Sequence, residues 1–118
     1  GPIGEDGNVT KRGFVMSQFA RFVRPGYYRI TCKAVPQRNV YVSSYKDPAS
    51  SRVVIIIMNT AGSAIQQGFA VTHGTMPSFS RYMTSVAKNC ERGTDIPAAN
   101  GAFTATLDPS SITTFVSQ

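Results

Sequence analysis

Only six carboxylates occur in this 118-residue sequence: Glu5, Asp6, Asp47, Glu91, Asp95 and Asp108. Acid–base work by carboxylates needs two of them held across one reacting bond in environments that push their pKa values apart. Glu5 and Asp6 are neighbours in a glycine-rich stretch and do not converge on a common point. The other four sit at predicted turns, where Asp commonly bends or caps the chain. His73, the single histidine, falls in a His-Gly turn without a nucleophile or carboxylate nearby in sequence. Ser43, Ser44 and Ser80 lack the G-x-S-x-G elbow that exposes a nucleophile. HGTMPS (residues 73–78) reads as a turn between strands and not as a phosphate loop. Asp47 and Asp95 offer oxygen ligands for a weak calcium site at best. One histidine and two distant cysteines match no zinc spacing. The expectation is a chain with no metal, no cofactor and no catalysis by itself.

Binding chemistry has better support. In NVYVSSYKD (residues 39–47), Tyr41, Ser43 and Tyr45 recur at every second position, which puts them on one face of a strand. Pyranose rings present C–H faces that stack on aromatic rings, and their hydroxyls need polar neighbours. Tyr41, Ser43 and Tyr45, with Lys46 or Arg38 near a sugar carboxylate, therefore form a candidate carbohydrate surface. Tyr82 beside Arg81 is a second candidate. Tryptophan, the usual platform, is absent. The competing reading packs these rings on a neighbouring element. Tyr27 and Tyr28 are expected to seal a helix–sheet junction.

The elements that must position these residues are short. Val15, Phe19 and Phe22 recur at helical spacing, widened by Met16 and Val23, and predict one amphipathic helix. Asn8 or Thr10 can cap it, Gly13 weakens it, and Pro25-Gly26 ends it. Strands are predicted over 27–34, 39–46, 52–59, 65–72, 78–86, 102–107 and 112–116, separated by turn residues. The fold class is mainly β: a β-sandwich of about seven to nine antiparallel strands with one N-terminal amphipathic helix. RVVIIIM (residues 52–58) is apolar on both faces and predicts a central strand covered on each side. The opposing sheet and the helix are the expected covers. Residues 1–26 form the loop-and-helix unit and 27–118 the sandwich.

Apolar residues make up 42% of the chain and charged residues 15%, which excludes disorder by composition. The net charge of +6 favours a polyanion, yet the basic residues are scattered and no nucleic-acid motif appears. No apolar run reaches 18 residues, so no membrane partner is expected, and no secretory leader is visible. Cys32 and Cys90 could pair as a disulfide in an oxidising compartment or remain two free thiols.

The segments EDGNVTKRGFVMSQFARFVRPGYYRI (5–30), NVYVSSYKD (39–47) and SSITTFV (110–116) resemble the C-terminal part of glycoside hydrolase family 30, its glucuronoxylan-cleaving branch in particular. The resemblance implies that the helix is the last one of a catalytic (β/α)8 barrel and the remainder is a β-sandwich side domain. It implies that the catalytic glutamates lie upstream, that the protein is secreted, and that its partners are xylan or glucuronoxylan and the barrel. The family's side domain also receives a strand from upstream, so an open sheet edge and an exposed helix face invite self-association. The expected function is non-catalytic binding of xylan or glucuronoxylan; the alternative is a structural side domain that binds no sugar.

Overall fold

The computed structural model describes residues 18–71 and 77–118. The cap at Asn8 or Thr10, Gly13, Val15, Met16 and the His73-Gly74 turn lie outside them. Chain order among the described residues is a helical segment α1 (residues 18–22) and nine strands. The strands are β1 (Tyr28–Ile30), β2 (Val40–Lys46), β3 (Val53–Asn59), β4 (Ile65–Ala70), β5 (Ser78–Thr84), β6 (Glu91–Arg92), β7 (Ile96–Pro97), β8 (Ala102–Leu107) and β9 (Ser111–Ser117).

Seven strands form one antiparallel sheet in the order β1-β2-β3-β9-β5-β6, with β7 also pairing β5. The second sheet holds only β4 and β8. A two-stranded sheet is marginal alone and survives here by packing face to face on the larger one. The mainly β sandwich expected from the sequence is therefore observed. Its strands are shorter than expected at Tyr28–Ile30, because Thr31 to Gln37 leave the ladder. The pieces β6 and β7 were expected as loop. Each is two residues long, and Pro97 has no N–H to extend a ladder.

β3 explains the layering. Residues Val53 to Ile57 are all buried, although side chains alternate between faces. Val53, Ile55 and Ile57 join Val40, Phe79, Phe115, Phe103, Ala105 and Leu107 in the core between the sheets. Val54 and Ile56 face the other way, with Ile112, and are covered by Phe22, Val23, Tyr27 and Tyr45. The order is thus helix, large sheet, small sheet. Each buried Val or Ile of β3 contributes about 1.5–3 kcal/mol relative to exposure.

Two turns need left-handed backbone. Gly26 (φ 95°) follows Pro25 where the Tyr27 N–H bonds back to the Arg24 carbonyl at 3.1 Å, folding α1 into β1. Asn100 and Gly101 (φ 53° and 78°) make the tight reversal before β8. A Cβ at Gly101 would lie 2.6 Å from the Val71 carbonyl oxygen, so no side chain fits there. Asn59 fastens the far end of β3. Its buried amide donates to the carbonyls of Ser63 and Asp108, each at 3.0 Å, and its oxygen accepts from the Ala61 N–H. No helix of the described residues is long and apolar enough to cross a membrane.

Candidate functional site

The large sheet has one face turned away from the sandwich core, and the candidate residues meet or miss each other on it. Cross-strand register gives three rows. The first is Tyr41, Met58, Ile112 and Thr84; the second is Ser43, Ile56, Thr114 and Tyr82; the third is Tyr45, Val54, Val116 and Ser80. Tyr41, Ser43 and Tyr45 do share this face, as their spacing predicts. Tyr82 lies on it three strands from Ser43, roughly 14 Å away at the usual strand separation.

α1 occupies the middle of this face. Phe19 meets Tyr45 edge-on, with ring centroids 5.5 Å apart, and Phe22 lies against Tyr82 at 4.6 Å. Both tyrosines are therefore engaged as helix packing. The Arg21 guanidinium sits 5.0 Å from the Tyr82 ring centroid and that of Arg29 5.8 Å from Tyr45, adding cation–π contacts. Between the aromatic pairs lies Gln18, only 1% exposed. Its amide nitrogen donates to the Thr114 hydroxyl at 2.8 Å and the Tyr82 carbonyl at 3.0 Å. Its oxygen accepts from the Thr84 hydroxyl, which in turn accepts from the Cys90 N–H at 2.9 Å. This closed polar network pins the helix to β5, β9 and the loop before β6. Gln18 stands three residues after Val15 and four before Phe22, at the edge of the apolar stripe, and that position is the one signal of it in the sequence, since a glutamine on a helix is ordinarily solvated.

Of the candidate aromatics, Tyr41 is left open, 47% exposed beside Met58 at 37%. Two members of the expected cluster are elsewhere. Lys46 is on the opposite face of β2, because it is one residue from Tyr45 and strands alternate. There it borders a cleft of about 720 Å³ between the β1–β2 side of the large sheet and β4. Arg38 is in the turn that precedes β2. Tyr27 packs at the helix–sheet junction as expected, whereas Tyr28 turns to the cleft and is 48% exposed.

The disulfide does not form: Cys32 and Cys90 are both free thiols. Cys32 follows β1 at one edge of the large sheet, and Cys90 precedes β6 at the other. Five strand spacings separate those edges, about 24 Å, against the roughly 7 Å a bridge can span. The Cys32 thiol donates to the Val42 carbonyl, and the Cys90 sulfur accepts from Arg21.

Each described aspartate has its own local partner. Asp47 is held below its ordinary pKa by the Ser50 hydroxyl and the Ala49 N–H of its own turn, and Asp95 by Gln118 and Arg92. Asp108 pairs with Lys88 at 2.6 Å. No cluster of three or more metal-ligating side chains occurs among the described residues.

No protein-family model matches the sequence. A glucuronoxylanase XynC of Bacillus subtilis is 43% identical over 116 residues, 98% of this chain and 27% of the relative. A GH30 endoxylanase from Clostridium papyrosolvens C71 superposes with a TM-score of 0.86 at 42% identity, covering 92% of this chain and 28% of that one. A family 30 subfamily 8 xylanase from Clostridium acetobutylicum gives the same TM-score at 38% identity. The chain thus spans about a quarter of the length of the curated relatives it matches.

Proposed function

We propose, on the premise that this chain is the C-terminal part of a glycoside hydrolase family 30 xylanase, that it serves as a non-catalytic, structural side domain that clamps a helix. The observation that carries this reading is Gln18. A fully buried glutamine with every polar atom bonded to the sheet fixes the position and rotation of α1, which hydrophobic contact alone leaves free to slide. Whatever precedes the helix inherits that orientation. In this reading the partner is an upstream catalytic barrel, the protein is secreted, and residues 1–26 belong functionally with the barrel and 27–118 with the sandwich. The isolated chain is inactive on xylan. The β4 edge, unpaired among the described residues, is where a strand from upstream or a second copy would add.

A chimera tests it. This chain would replace the matching part of the Clostridium papyrosolvens endoxylanase, with and without Phe22→Ala. Loss of the Phe22–Tyr82 contact should lower the half-inactivation temperature by several degrees and leave KM on xylan unchanged. A raised KM at unchanged thermal tolerance would overturn the structural reading.

Carbohydrate binding is the second reading, favoured by the exposed Tyr41–Met58 surface. One aromatic ring gives weak contact, worth roughly 1 kcal/mol or fivefold in affinity. Tyr41→Ala is the informative variant, because Tyr45→Ala would disturb the helix as well. Migration of the wild-type chain should be retarded in gels containing soluble xylan, and Tyr41→Ala should relieve most of that retardation. Equal migration of the two proteins would remove Tyr41 from the reading.

A further inference from the structure

β4 is the open rim of the small sheet, and the ladder shows which of its backbone groups point outward. The Val71 N–H bonds the Gly101 carbonyl, and bonded and non-bonded pairs alternate along an antiparallel ladder. Residues 65, 67 and 69 therefore turn their N–H and C=O groups to β8, whereas Gln66, Gly68 and Ala70 turn theirs to the open side. The strand IQQGFA carries no charge and no proline, the usual protections of an exposed edge. Two glutamine amides stand there instead. The Gln37 amide nitrogen donates to the Gln66 carbonyl at 2.9 Å and to the Gln67 side-chain oxygen at 2.7 Å. The Gln67 amide nitrogen in turn donates to the Gly68 carbonyl at 2.8 Å. Side-chain donors thus hold the Gln66 and Gly68 carbonyls where an added strand would place its own N–H groups.

We infer that Gln37 guards the β4 edge against pairing with a second copy of this chain. The inference rests on the open β4 edge proposed above and concerns what closes it. Gln37 reaches β4 from the other sheet. It stands at the turn into β2, where the Val40 N–H bonds its carbonyl at 3.2 Å, Asn39 is left-handed (φ 68°) and Val40 is fully buried. An exposed side chain loses rotamer freedom in such a bond. Here its base is fixed by the turn, and both protons of its amide are used. A strand arriving from another copy meets occupied acceptors and must first displace the amide. The Gln67 amide is itself oriented by the bond from Gln37, so removing the Gln37 donor releases both carbonyls together.

Gln37→Met keeps the length and flexibility of the side chain and removes both of its donors. In sedimentation velocity the variant should self-associate at concentrations about tenfold below those at which the wild type begins to. Its urea midpoint should stay close to that of the wild type, because the residue lies at the surface, so misfolding is not the cause. Adding Gly68→Pro should reverse the association. The Gly68 N–H faces the open side, so proline there removes a pairing donor without breaking the ladder to β8. Equal behaviour of Gln37→Met and the wild type overturns the inference; if Gly68→Pro still suppressed that association, the open edge would stand without its guard. Association of Gln37→Met that Gly68→Pro leaves untouched also overturns it. The contact would then lie elsewhere, and β4 would drop out of the proposed function as well.

Discussion

Phe103→Ala is expected to lower the stability of this chain by about 3–5 kcal/mol, the usual cost of truncating a buried phenylalanine. The effect falls at the top of that range because Phe103 is the junction of the core. Its ring lies 5.0 Å from Phe69, 4.8 Å from Phe79 and 5.1 Å from Phe115. Phe79 and Phe115 belong to the large sheet, and Phe69 and Phe103 to the small one. Among the described residues the two sheets share no ladder of hydrogen bonds, so these rings are much of what joins them. Domains of this size hold roughly 5–15 kcal/mol in total, so the variant is brought close to unfolding. Urea denaturation should show a midpoint shifted sharply down at constant slope. A loss under 1 kcal/mol would mean that the small sheet is held by something other than this cluster. Phe103→Leu, which keeps most of the volume, should lose markedly less.

Much of this architecture is legible in the residues. The unbroken apolar run of β3 demands cover on both faces, and the fold supplies it with β8 on one side and α1 on the other. Asn100-Gly101 announces a tight reversal and makes one. The alternation of Tyr41, Ser43 and Tyr45 places them on one face. What periodicity cannot report is which face a neighbouring element claims. Tyr45 and Tyr82 carry the same signature as a sugar platform and as helix packing, and the deciding contacts come from residues 26 and 60 positions away in sequence. The free thiols follow from sheet order, which spacing between cysteines does not encode.

Gln18→Leu is expected to cost about 2–4 kcal/mol although it adds apolar surface at a buried position. Leucine fills nearly the same volume, but it strands the Tyr82 carbonyl and the Thr114 and Thr84 hydroxyls under the helix. Each buried group left unpaired costs roughly 1–3 kcal/mol, reduced where a hydroxyl can rotate to another acceptor. The loss should be local first. Amide exchange at the Val23 N–H, which bonds the Phe19 carbonyl at 2.9 Å, should accelerate well before the sheet amides do. Thr114→Val supplies the matching control, since it removes one of the three stranded groups, the Thr114 hydroxyl, together with its former partner. The double variant should therefore be more stable than the sum of the single losses predicts, by about 0.5–3 kcal/mol. Additive losses with unchanged exchange in the helix would mean that Phe19, Phe22 and Val23 hold α1 by apolar contact alone. The sheet would then be a greasy platform on which the helix can turn, and the side domain could not transmit a fixed orientation to anything upstream.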